Sequence, residues 1–123
     1  MPIEIINGPT IPAGEALSDA VDCTGGKIIK ITMPGNWNQA DLTFQTSSDG
    51  VLFNDIMRPD GIEVKCTIVP GTAIVGLELI TGFVKFRSGG REHPINQNEL
   101  REFAIAVLKP PVIAANLAVE QKY

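Results

Sequence analysis

Hydrophobic side chains recur along this chain with a period of two, the signature of strands that bury one face. Ile62–Val69 (IEVKCTIV) sets Ile62, Val64, Cys66 and Ile68 on one side and Glu63, Lys65 and Thr67 on the other. Lys27–Met33 places Ile29, Ile31 and Met33 together, Asp41–Ser47 turns Leu42 and Phe44 inward, and Phe83–Arg87 pairs Val84 with Phe86. Phe103–Val107 repeats the pattern with Phe103, Ile105 and Val107. Shorter candidates lie at 4–6, 16–23, 51–56 and 72–79, which brings the expectation to eight or nine short strands. No stretch carries a sustained helical stripe. A helical turn is expected at most at Asn36–Ala40 and Asn96–Glu102.

Turn chemistry divides these runs. Asp49-Gly50 and Asp60-Gly61 supply the positive φ of tight reversals, and Gly25-Gly26, Pro34-Gly35, Pro70-Gly71 and Gly89-Gly90 punctuate the rest. Short strands at this spacing predict an all-β fold, a single antiparallel β-sandwich of jelly-roll type. The ends differ in character. Pro2, Pro9 and Pro12 mark residues 1–14 as an extended N-terminal arm, and Pro110-Pro111 opens a C-terminal arm over 110–123. Residues 15–109 remain as the sandwich domain. The C-terminal arm is apolar (Val112, Ile113, Leu117, Val119), so it is expected to cover its own sandwich or to dock on a neighbouring subunit.

The 44% hydrophobic and 20% charged residues exclude general disorder. A net charge of −4 disfavours a nucleic-acid partner. No apolar run reaches the length of a membrane span, and the first residues show no basic, apolar leader, so neither membrane nor export is expected. Cys23 and Cys66 share strand parity with core residues and read as buried thiols, a disulfide across the core being the alternative. With His93 the only histidine, a zinc site lacks ligands, and no cofactor is expected.

Catalytic constellations are missing from the sequence. His93 precedes Pro94 in the polar loop SGGREHPINQN, no G-x-S-x-G occurs, and Gly89-Gly90 lacks the lysine of a phosphate loop. Asp49, Asp55, Asp60 and Glu63 cluster near two turns, at offsets that do not match an EF-hand. The expectation is therefore a protein that is not an enzyme. Arg87, Arg91 and Arg101 surround the most polar segment, a solvated or partner-facing loop. Trp37, flanked by Asn36 and Asn38, reads either as a plug at one end of the sandwich or as a stacking platform for a sugar. The second reading makes the chain a glycan-binding module of a fibre or spike.

The stretch LTFQTSSDGVLFNDI (42–56) with Asp60-Gly61, then VKFRSGG (84–90) with PINQ (94–97), resembles small β-sandwich structural proteins of tailed bacteriophages. MPGNWNQA (33–40) fits the same pattern. The resemblance spans residues 28 to 107. It implies a capsid decoration or cement protein on the outer surface of the expanded head, made in the host cytoplasm and located on the virion. Its partners would be the major capsid protein and further copies of itself, a trimer being the expected oligomer. The contacts it implies are Ile3, Ile5 and Ile6 in the N-terminal arm and Val112, Ile113, Leu117 and Val119 in the C-terminal arm. Arg91 and Asn96 would add contacts from the polar loop.

Overall fold

The computed structural model describes residues 2–76 and 82–109. Nine strands run through them: β1 (Ile3–Ile11), β2 (Leu17–Asp22), β3 (Lys27–Thr32), β4 (Leu42–Ser47), β5 (Asn54–Asp55), β6 (Lys65–Cys66), β7 (Ala73–Val75), β8 (Phe83–Ser88) and β9 (Arg101–Leu108). One sheet has the order β1-β9-β3-β7 and the other β2-β8-β4-β5, with β6 also on β4. Every pairing is antiparallel. Successive strands alternate between the sheets except β4, β5 and β6, which follow one another in the same sheet. This is the interlocked order of a jelly roll, with β5 and β6 together filling one strand position.

Alternate side chains of both sheets meet in the middle. Phe44, Phe86 and Phe103 pack edge to face, with ring centroids 5.3 and 5.0 Å apart in successive pairs. Ile11, Ile28, Ile31, Leu42, Val84, Ile105 and Val107 surround them, all at most 1% exposed. The alternation fails where a strand bulges. On β3 the register against β9 shifts between Ile28 and Lys30, so Ile28 enters the core while Ile29, expected inward, is only half-buried.

Three further expectations are corrected. Residues 3–11 do not stand outside the sandwich as an arm. They form β1, the longest strand, paired along β9 from Ile3↔Leu108 to Ile11↔Arg101. Residues 62–69 do not make one strand. Lys65–Cys66 alone pairs with β4, because a small hairpin over 57–63 interrupts the strand begun by β5. Arg58 N–H donates to the Ile62 carbonyl at its neck, which leaves Ile62 exposed. Neither expected helical turn forms. Asn36–Ala40 is turn and loop, and Arg101 and Glu102 already belong to β9. The C-terminal arm, 110–123, lies outside the described residues.

Candidate functional site

The jelly-roll order sends the loops to two ends. At one end lie the 12–16, 33–41 and 89–100 segments. Here Trp37 is 5% exposed, packs edge-on against Phe103 with centroids 5.6 Å apart, and donates its indole N–H to the Ala40 carbonyl at 3.0 Å. It plugs the sandwich, and no ring face is left on which a sugar could stack. That removes the platform from the glycan reading, although Asn36 is exposed. Asn38 serves a different purpose. Its Oδ1 accepts from Arg101 Nη2 and from the Asn98 N–H, while its own N–H donates to Gln97 Oε1. Arg101 and Gln97 are buried, and Arg101 Nε donates to Gln97 Oε1 at 3.0 Å. Arg101, expected beside a solvated or partner-facing loop, is thus a buried cation held by amide oxygens, and its Nη1 has no partner among the described residues. The network ties the 33–41 loop to the 95–100 loop.

A second polar cluster sits on the outer face of the β2-β8-β4 sheet. Register places Arg87 beside Thr43, and Arg87 Nε donates to Thr43 Oγ1 at 3.0 Å. The guanidinium then forks, Nη1 to Asp55 at 2.7 Å and Nη2 to Glu63 at 2.6 Å. Arg91 closes the cluster, its Nε 3.0 Å from Asp55 and its backbone N–H on Glu63. The 57–63 hairpin and the 89–95 loop roof Arg87, which is 7% exposed although it points away from the core. Burial pushes the Asp55 carboxyl up, but hydrogen bonds from Arg87, Arg91 and Gln45 outweigh it and hold the group below the usual carboxylate range. Beside the cluster is a shallow depression of about 330 Å³ lined by Asp41, Lys65, Glu92, His93 and Ile95, among others. Both arginines and both carboxylates of the cluster are engaged with one another, so its geometry is that of a clamp. Among the described residues no group of His, Cys, Asp and Glu side chains could hold a metal ion.

The opposite end is where β1 begins and β9 finishes, and it carries bare aliphatic side chains. Ile3 and Ile5 are 57% and 62% exposed, Val75 69%, Leu52 68% and Val51 84%. Val51 and Leu52 are displayed on a built turn. Asp49 Oδ1 accepts the N–H groups of both, at 2.9 and 3.1 Å, and Ser47 Oγ accepts that of Gly50. These backbone bonds hold the Asp49 carboxyl below its ordinary range. Gly50 has φ of +79° and packs on the Phe83 ring, a position that favours glycine. The turn therefore presents two adjacent aliphatic side chains to solvent in a fixed conformation.

Of the residues expected to contact partners, Ile3 and Ile5 belong to this end, whereas Ile6 is half-buried against the core. Arg91 is committed to Asp55 and Glu92, and Asn96 is exposed in the far loop. Val112, Ile113, Leu117 and Val119 lie outside the described residues. Sequence reasoning missed Val51 and Leu52. The signal was present: two aliphatics directly after Asp-Gly, where a turn normally goes polar. Both cysteines are thiols, Cys23 fully buried and Cys66 half-buried. Desolvation, with Asp22 adding to it, raises Cys23 to about 11. Comparison with family models, with curated proteins and with solved structures yields no match.

Proposed function

We propose that this chain is a structural adhesion protein of a tailed-phage virion, a decoration protein that binds the outer surface of the expanded capsid. The observation that supports the reading is the unequal finish of the two ends. One is plugged by Trp37 and tied by an amide-arginine network, with Val69, Ile95 and Leu100 exposed on its loops, and the other displays Ile3, Ile5, Val51, Leu52 and Val75 to solvent. Aliphatics left exposed on β1, on β7 and, as an adjacent pair, on a hydrogen-bonded turn suit a surface that is covered in the assembled state. Jelly rolls are common among capsid proteins, which adds an analogy of fold and no more.

The mechanism follows from linkage. A surface that exists only on the expanded lattice is stabilised by whatever binds it, and many copies each add a modest increment. The rigid Asp49 turn would contribute by docking without an ordering cost. The partner is the major capsid protein. The test is co-sedimentation with expanded and with unexpanded phage heads. Saturable occupancy of expanded heads alone is expected, and Val51→Asp/Leu52→Asp should reduce it at least tenfold while leaving the melting temperature in place. Failure to bind heads in either state, or binding indifferent to the double substitution, would refute the reading.

A further inference from the structure

Among the described residues the start of β1 is an open sheet edge. Among the described residues β1 pairs only with β9, so alternate backbone N–H and C=O groups of Ile3–Asn7 point away from the sheet. The ladder over these five residues is unbroken, Ile3↔Leu108 to Asn7↔Ala104, and spans roughly 17 Å. The second half of the strand is finished differently. A register shift separates Asn7 from Thr10, and the Thr10 N–H is capped by Asp19 Oδ1 at 2.8 Å. Bulges and inserted charges are how natural sheets protect an edge, and this chain applies them only beyond Asn7. Over Ile3–Asn7 the side chains are Ile, Glu, Ile, Ile and Asn, with Ile3 and Ile5 on the solvent face. The one charge, Glu4, is matched within the chain by Lys109 Nζ at 2.8 Å. The edge therefore presents hydrogen-bonding groups and aliphatic surface with no net charge.

We propose that the edge is a self-association surface, where β1 of a second copy adds antiparallel to β1 about a twofold axis near Ile5. The charge balance selects this occupant. An acidic or basic partner gains nothing from a neutral edge, and the strand that matches it in length, neutrality and outward aliphatics is β1 itself. Pairing about Ile5 sets Ile5 against its own copy and Ile3 against the copy's Asn7, so that both outward faces merge. The rows Ile5–Ala106–Lys30–Val75 of the two copies then join in a continuous eight-stranded sheet. An isologous edge closes after two copies, so the assembly is a dimer and not the trimer expected from the resemblance. The proposal does not rest on the virion reading, and it is tested in solution with the protein alone.

Sedimentation equilibrium of the full chain across the micromolar range should approach twice the 13.2 kDa chain mass. Ile5→Lys, which opposes two ammonium groups at the axis, should return the single-chain mass, a twofold fall. Because Ile5 is 62% exposed, the melting temperature measured at high dilution should stay within a few degrees, so loss of the dimer is not mistaken for loss of the fold. Leu117→Asp in the full chain should leave the dimer intact. The proposal is overturned by a single-chain mass for the unmodified protein at every concentration, by a mass of three chains, by a dimer that survives Ile5→Lys, or by one that Leu117→Asp dissolves.

Discussion

Removing the Arg87 guanidinium tests whether the outer polar cluster holds the interrupted strand in place. In Arg87→Met the methionine roughly fills the stem's volume but leaves Asp55, Glu63 and Thr43 Oγ1 without their central donor. Taking one partner from a buried ion pair costs about 3–5 kcal/mol. Two features reduce that here. The Asp55 and Glu63 side chains are 20% and 15% exposed, so some water reaches them, and Arg91 still donates to both. A loss of about 2–3 kcal/mol follows. For a domain of this size that lowers the melting temperature by roughly 8–12 °C.

The pH profile separates this cause from lost packing. Asp55 has a folded pKa below its unfolded value of 3.8, so its contribution is complete above that value and fades as pH falls through the folded pKa. Without Arg87 the opposing effect of burial gains weight, and protonating Asp55 relieves the variant. The stability gap between wild type and Arg87→Met, read from urea melts, should therefore be widest near pH 7 and shrink as the pH is taken down through and below 3.8. A variant as stable as wild type, or a gap that stays constant with pH, would refute the clamp.

Two further outcomes are expected. Trp37→Ala should cost about 3–5 kcal/mol, because a ring 5% exposed against Phe103 leaves a large cavity, and glycan-array binding should show no Trp37-dependent signal. Thiol labelling at neutral pH should reach Cys66 slowly and Cys23 only on unfolding, since burial keeps both protonated and Cys23 lies near 11; labelling of Cys23 at the rate of an unfolded thiol would show that the core is not closed around it.

The sheets were legible because their signal is local. Leu42 and Phe44, Val84 and Phe86, and Phe103, Ile105 and Val107 alternate as a half-buried strand must, and each is buried where its parity places it. Ile29 was misplaced because a bulge inserts one residue and reverses parity, and no residue type announces it. Ile62 was misplaced because Asp60-Gly61 was read as a boundary before a strand, whereas it is the tip of a hairpin inserted within one. The N-terminal prolines suggested an arm. Yet Pro2 lies just ahead of the ladder, Pro9 falls within the register shift, and Pro12 just follows the strand, so none removes a ladder bond that β1 needs. The arginines were the hardest to read. Arg87 and Arg101 look like surface cations in sequence, and their burial depends on Asp55, Glu63, Asn38 and Gln97, which come from positions 4 to 63 residues away.

These misreadings share a physical origin that bears on function. At the Trp37 end Asn38, Gln97 and Arg101 gain their partners through the fold, so that a segment rich in Asn, Gln, Arg and Gly closes into a network. At the β1-start end the sequence reads as ordinary strand and turn, and the fold leaves its aliphatics uncovered. A chain that acted through its polar loops would leave donors and acceptors convergent and available. Here Arg101 and Arg87 are each committed to several protein atoms. What stays available includes apolar surface on a hydrogen-bonded turn and the backbone edge of β1. Both recognise by shape and burial, and both gain free energy only when another surface removes them from water.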